Sequence, residues 1–143
     1  MKTAFTLIEL LVVIAITAVL LGIGWARYID FDKRQTVKQA AQNLRNNLRL
    51  AAGRAINGEK DCAGTFDGYL LTVSSSNYTV KSKCGSNYGV VTTVTLPAGV
   101  TLSPTTTILF KALGQGVDAA KTITLSAFGN SETVTVNLSG EVQ

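Results

Sequence analysis

The chain has 143 residues, of which 46% are apolar and only 15% are charged, and this composition excludes a disordered or collagen-like protein. It contains no histidine, which excludes catalytic triads and metal sites that need an imidazole. The formal charge of +4 is concentrated in one segment: residues 27–58 carry seven basic and two acidic side chains, whereas residues 59–143 carry five basic and six acidic ones.

The first predicted element is an apolar segment at residues 5–26, where 17 of 22 residues are apolar. As a helix it would be about 33 Å long, enough to cross the hydrocarbon core of a bilayer. Trp25 and Tyr28 then stand at the level of an interfacial aromatic belt. A cleaved signal peptide is the competing interpretation, because residues 24–26 offer small side chains to a peptidase. The length of the apolar run and the acidic Glu9 argue against it.

Glu9 is an acidic side chain inside this apolar segment. A carboxylate in a membrane helix costs up to about 3 kcal/mol on insertion scales, and less near the helix end. Two explanations remain open. The carboxylate either pairs with a cation inside the membrane or extends to the lipid headgroups.

The run Ala4-Phe5-Thr6-Leu7-Ile8-Glu9-Leu10, followed by LVVIAI, resembles the prepilin peptidase signature of type IV pilins and type II secretion pseudopilins. The resemblance implies a leader at residues 1–4, cleavage between Ala4 and Phe5, N-methylation of Phe5, and an apolar helix that is kept for assembly. Ala4 stands where the family usually has glycine, which implies slower processing rather than its loss. The resemblance also implies that Glu9 pairs with the terminal amine of a neighbouring subunit, because two unpaired charges in hydrocarbon cost more than one pair.

Residues 27–58 continue the helix as an amphipathic half. Apolar side chains recur at steps of three and four, the pattern of a helix with one apolar stripe. The stripe consists of Val37, Ala41, Leu44, Leu48, Ala51 and Ala55. Asn57 and Gly58 predict the helix end, with glycine in the left-handed position.

Four basic residues form a separate face of this half, which we call the basic face: Arg34, Lys38, Arg45 and Arg49. Clustered cations suit phosphate contacts, which keeps nucleic acid among the candidate partners. We rank it behind a solvated face, or one packed near headgroups or a neighbouring subunit, because few aromatic side chains accompany the cations for base stacking.

Residues 59–143 predict a β-rich head, in which 23 of 85 residues are Ser or Thr. Alternating apolar residues predict six strands, at 69–73, 78–81, 90–95, 107–111, 122–126 and 132–138. A turn at 129–131 joins the last two. The apolar residues expected against the helix stripe are Ile123, Leu125, Val134, Val136 and Leu138. The predicted fold class is α+β, with a long N-terminal helix packed on an antiparallel sheet.

The two cysteines, Cys62 and Cys84, lie in the head at a spacing that suits no zinc site. A disulfide would close a loop of about twenty residues and stabilise the head by roughly 3 kcal/mol; two free thiols are the alternative. A head exported across the membrane meets oxidising conditions, which favour the disulfide. Asp61 and Asp67 lack the dense oxygen-ligand spacing of a calcium loop, so we expect solvated acids, no metal and no other cofactor.

The last strands extend the resemblance, since Gly129, Val134, Val136 and the run at 140–142 are similar to the C-terminal strands of GspH/FimT-type minor pilins. The resemblance implies a non-enzymatic filament subunit, held first as a single-pass protein of the inner membrane and later part of an extracellular or periplasmic filament. Its implied partners are other pilin subunits, the prepilin peptidase and methylase, and the filament assembly platform. The alternative is a minor tip subunit acting as a DNA or surface receptor. Residues 139–143 carry no cation, unlike the basic tails of members linked to DNA uptake.

Overall fold

The fold begins with a single helix of 50 residues. The computed structural model describes residues 6–143, with the backbone alone described at residues 23–26. Helix α1 spans Leu7–Ile56 and is about 75 Å long at 1.5 Å per residue. Asn57 caps its C-terminus, and Gly58 follows with a φ of +67°. The helix end predicted from Asn57 and Gly58 is therefore confirmed.

The head contains two antiparallel sheets. Within residues 6–143 the strands are β1 Gly68–Val73, β2 Asn77–Cys84, β3 Asn87–Thr95, β4 Thr101–Ser103, β5 Thr106–Lys111, β6 Lys121–Ala127 and β7 Asn130–Val136. Their order is β3-β2-β1-β5 in one sheet and β4-β6-β7 in the other. The α+β class is confirmed, as are the six predicted strands. Strand β4 was not predicted, because three residues are too few to show an alternating pattern.

The apolar stripe of α1 is the part of the helix that packs on the head. All six of its residues are buried, together with Ala40. They join one core cluster with residues from both sheets, among them Leu71, Ile108, Phe110, Ile123, Leu125, Val134 and Val136. Since the buried residues of α1 all lie between Val37 and Ala55, the head is attached to the C-terminal part of the helix.

The end of β7 differs from the sequence prediction. The strand stops at Val136, and Leu138, expected against the helix, is 66% exposed. Asn137 turns the chain here, because its side-chain oxygen accepts hydrogen bonds from the Ser139 hydroxyl (2.7 Å) and from the backbone N–H of Glu141 (2.9 Å). Val142 returns to pair with Val136 and is buried in place of Leu138.

The turn between β6 and β7 also lies elsewhere than predicted. Ala127 pairs with Asn130, so the turn consists of Phe128 and Gly129 rather than residues 129–131. Both turn residues have positive φ, at +53° and +76°, as a type I′ turn requires. The prediction was wrong because an Asn or Gly is expected at the first position of such a turn, and this chain has phenylalanine there.

Candidate assembly site

The N-terminus of α1 is closed by a reciprocal capping box between Thr6 and Glu9. The backbone N–H and the hydroxyl of Thr6 both donate to Glu9 Oε2, at 3.0 and 2.9 Å, and the backbone N–H of Glu9 donates to Thr6 Oγ1 at 3.3 Å. This arrangement satisfies N–H groups that a helix start leaves without a partner, and it places a negative charge at the positive end of the helix dipole. Among residues 6–143 no donor reaches the other carboxylate oxygen, Oε1.

The side chains that follow the capping box form a long exposed apolar surface. All side chains of residues 7–22 are exposed. Within the described residues, α1 is the one helix long and apolar enough to cross a membrane by length and composition. A continuous apolar surface of this size needs lipid or other apolar helices around it.

The basic face divides into two parts with different surroundings. Arg45 Nη2 donates to the carbonyl oxygen of Thr133 in β7 at 2.7 Å, and Arg49 Nη2 donates to the carbonyl oxygen of Val142 at 3.1 Å. Arg34 and Lys38 are exposed and make no hydrogen bond or ion pair with residues of the described part of the chain. We expected a solvated face, or one packed near headgroups or a neighbouring subunit, ahead of nucleic acid. The exposure of Arg34 and Lys38 fits a solvated face, whereas Arg45 and Arg49 bind the head of their own chain.

The contacts of Arg45 and Arg49 help to position the end of the head. Residues 141–143 lie along the outer edge of β7, where Thr135 and Gln143 exchange backbone hydrogen bonds of 3.1 and 2.9 Å. Arg49 therefore holds this last segment against the helix, while Arg45 holds β7 itself. Sequence reasoning missed both contacts, because Arg45 and Thr133 are 88 residues apart.

Tyr78 provides another link between helix and head. Its ring is fully buried, and its hydroxyl oxygen accepts a hydrogen bond from Asn47 Nδ2 of α1 at 2.7 Å. Burial raises the pKa of the Tyr78 hydroxyl, against the opposing effect of the Asn47 hydrogen bond. The phenol therefore stays neutral and fixes the C-terminal part of α1 against β2.

A disulfide joins Cys62 and Cys84, and two acidic residues lie beside it. Asp61 accepts hydrogen bonds from the Ser82 hydroxyl and from the backbone N–H of Val90, the latter at 2.9 Å. The Ser82 hydrogen bond is the main reason that the pKa of Asp61 lies below its usual value. Asp61 thus stabilises the irregular pairing of β2 with β3 between Lys81 and Lys83.

Asp67 has a similar structural role. It accepts a hydrogen bond from the backbone N–H of Gly85 at 3.0 Å and forms an ion pair with Lys83 Nζ at 3.4 Å. Asp61 is exposed and Asp67 is half-buried, so both acids keep contact with solvent as expected, but both carboxylates also bind groups of the head. The described residues contain no group of three or more Cys, Asp or Glu arranged to hold a metal ion.

The predicted cleavage and methylation site lies outside the part of the chain that the structure describes. Ala4 and Phe5, like the rest of residues 1–5, lie outside the described residues. The described helix begins two residues after Phe5, at Leu7. Cleavage before Phe5 and its methylation therefore stay predictions.

Comparison with known proteins identifies the N-terminal segment. Residues 1–25 match the family described as the prokaryotic N-terminal methylation motif. No solved structure matches this chain. The matched segment includes the predicted cleavage site, Glu9 and all of the exposed apolar surface at residues 7–22.

Proposed function

We propose that this chain, which carries the N-terminal methylation motif of the type IV pilin and pseudopilin superfamily, is a structural, non-catalytic subunit of a type IV pilus-like or type II secretion filament. The superfamily motif and the long apolar helix fit a pilin that is anchored in the membrane before assembly. We further propose that the anchoring membrane is the inner membrane, and that the assembled filament is extracellular or periplasmic.

The proposed processing starts in the membrane. Prepilin peptidase removes residues 1–4 and leaves Phe5 as a methylated N-terminus. Ala4 is small enough to stand at the position before the cut. The new amine lies four residues before Glu9, so each mature chain carries one cation and one anion near the same end of its helix.

Glu9 then sets the register between subunits. Its Oε2 serves the helix cap through Thr6, and its Oε1 accepts the terminal amine of a neighbouring subunit. Neither charge is well solvated among apolar helices, and pairing them with a hydrogen bond removes most of that penalty. The capping box supports this role because it holds the carboxylate in one orientation at the helix end.

The observation that carries the proposal is the division of α1 into two parts. Residues 37–55 supply the buried stripe of the head, while residues 7–22 are apolar and wholly exposed. A helix divided in this way suits a filament in which apolar helices pack in the core and the heads form the surface. We assign the head to the GspH/FimT type as part of this proposal.

Glu9→Gln is the most direct test, because glutamine at this position still completes a capping box but has no charge. We expect the variant to be cleaved, methylated and inserted in the membrane, yet absent from sheared filaments. Thr6→Ala is the matched control: it removes the hydroxyl of the cap, keeps the carboxylate, and should enter filaments. Intact-mass analysis of both variants should find methylated Phe5 as the first residue.

Two outcomes would contradict the proposal. Normal filament incorporation of Glu9→Gln would mean that the Glu9 carboxylate serves the helix cap alone. Finding Arg27 as the first residue would establish removal of a signal peptide instead. A tip receptor for DNA ranks second, supported by the exposure of Arg34 and Lys38; a subunit scarce in sheared filaments and able to bind DNA would favour it.

A further inference from the structure

We infer that the turn between β6 and β7, formed by Phe128 and Gly129, is a lipid-contact site through which the head rests on the membrane that holds α1. The inference rests on the proposed membrane anchorage of α1 and adds a second point of contact. The partner is a phospholipid surface, with its headgroup layer against both the charged residues of the helix and the phenylalanine ring.

The turn lies at the membrane-proximal end of the head. Lys33 Nζ of α1 is 5.9 Å from the centroid of the Phe128 ring, and Asp30, Lys33 and Arg34 line one shallow depression together with residues 128–130. Residues 30–34 follow the predicted end of the membrane segment, residue 26, by about 6–12 Å of helix. The headgroup layer is roughly 5–8 Å thick on each side of a bilayer, so the turn reaches its outer boundary.

Neither turn geometry nor burial explains phenylalanine at this position. A type I′ turn favours Asn or Gly at its first position because φ is positive there, and Phe128 adopts a φ of +53°. Its ring lies over Gly99, yet 51% of the residue stays exposed. About half of this residue is therefore open to a contact outside the chain, and its place beside Asp30, Lys33 and Arg34 puts a membrane surface within its reach.

Other aromatic side chains stand at the same level of α1. Tyr28 and Phe31 are exposed and lie on the far side of the helix from Lys33, since they are about 140° and 160° away at 100° per residue. With Phe128 they lie on two opposite sides of the helix within about 8 Å of its length, as residues of an aromatic belt do at membrane interfaces.

The charges near the turn add a smaller contribution. The cations there are Arg27, Lys33 and Arg34, and the acids are Asp30 and Asp32, which leaves a balance of one positive charge. Anionic lipid should therefore strengthen the contact only modestly, because the aromatic ring supplies most of it. The tilt common to membrane helices would lower one side of the head toward the lipid, and this contact selects the side that carries Phe128.

Leu113 provides a matched control at the opposite end of the head. It is 73% exposed and has a φ of +56°, so it shares the exposure and the backbone conformation of Phe128. It lies beside Gly58 at the C-terminal end of α1. Ile56 and Lys33 are separated by about 35 Å along the helix, which places Leu113 far from the bilayer.

The test uses the full chain in nanodiscs that hold one copy each and contain phosphatidylethanolamine, phosphatidylglycerol and a phospholipid with a nitroxide quencher on its headgroup. In two variants Trp25 is replaced by phenylalanine, and each variant has one new tryptophan, Phe128→Trp in the first and Leu113→Trp in the second. The unsubstituted chain has Trp25 as its one tryptophan and reports on the anchor. We expect the emission of Phe128→Trp to shift to the blue and to be quenched by the headgroup nitroxide. The emission of Leu113→Trp should be that of a tryptophan in water, without quenching.

Amide hydrogen exchange checks the same contact without a tryptophan at the turn. Phe128→Asn suits the type I′ turn, so it should fold and lose only the ring. We expect residues 128–131 to exchange faster in Phe128→Asn than in the unsubstituted chain, with residues 112–114 unchanged. Equal exchange of the turn in both chains would overturn the inference.

The remaining outcomes separate this inference from the proposed function. Quenching of Trp25 without quenching of Phe128→Trp would leave the anchor in place and overturn the lipid contact. An unquenched Trp25 would mean that the anchor itself is absent. Quenching of Phe128→Trp only in discs that hold several copies would also overturn the inference, and would assign the turn to a contact between chains.

Discussion

Arg45→Ala is expected to lower the free energy of unfolding of the head by about 1–2 kcal/mol. The substitution removes the hydrogen bond of 2.7 Å from Arg45 Nη2 to the carbonyl oxygen of Thr133, and bonds with a charged donor contribute about 1.5–3 kcal/mol. The lower part of that range applies because the bond is exposed to solvent. Arg45 Nε is buried without a partner in the described part of the chain, and its removal offsets part of the loss.

Arg34→Ala and Arg45→Met are the matched controls for this prediction. Arg34 is exposed and makes no described contact through its guanidinium, so its replacement should change the free energy of unfolding by less than about 0.5 kcal/mol. Arg45→Met keeps an apolar stem over the head. It should therefore lose the stability that comes from the hydrogen bond and keep the stability that comes from packing of the stem. Arg49→Ala should behave like Arg45→Ala, because it removes the bond to Val142.

The assay is urea denaturation of a fragment that begins at Asp30. This fragment retains every residue of the described buried core, which runs from Val37 to Val142. Equal midpoints for Arg45→Ala and Arg34→Ala would refute the reasoning. The basic face would then be a solvated surface along its whole length, and the contact with Thr133 would contribute nothing measurable.

Three further predictions use the same fragment. Reduction of the disulfide between Cys62 and Cys84 should lower the melting temperature by about 10 °C, because it releases a loop with a sequence separation of 22 residues; an unchanged melting curve would contradict this. The pKa of Asp61 is lowered in the folded state, so its carboxylate stabilises the head above about pH 4 and this contribution is lost as the pH falls through the lowered pKa. Asp61→Asn should therefore melt lower at neutral pH, and its stability should fall less on acidification than that of the unsubstituted fragment. Binding to duplex DNA should be weak at about 150 mM salt; micromolar binding that is lost when Arg34 and Lys38 become glutamine would instead favour the receptor function.

Periodic patterns predicted the parts of the fold that many residues specify together. The stripe from Val37 to Ala55 repeats over five turns, so a single atypical residue could not hide it. The end of β7 depends on one side chain, Asn137, which turns the chain one residue before Leu138, the next residue that the alternation would have placed inside. The turn at Phe128 was misplaced for a related reason, because its residue type contradicts its backbone conformation.

The contacts of the candidate site are also of two kinds: some join residues that are close in the sequence, and others join residues that are far apart in it. The capping box joins Thr6 and Glu9, which are three residues apart, and the motif around them is readable from the sequence. The roles of Arg45 and Asp61 depend on partners far along the chain, Thr133 and Ser82. No spacing rule reveals such partners, since the tertiary fold alone brings them together.

Helix α1 is unbroken from Leu7 to Ile56. The number of residues between Glu9 and the head therefore sets both the direction in which the head faces and its distance from Glu9 along the helix axis. Inserting one alanine between Gly22 and Asp30 would turn the head by about 100° and raise it by about 1.5 Å. Inserting seven residues would restore its direction to within about 20° while lifting it by about 10 Å. In the proposed filament, the length of this segment would therefore fix which face of the head points outward from the filament axis. A change of one residue would alter that direction without disturbing any contact inside the head.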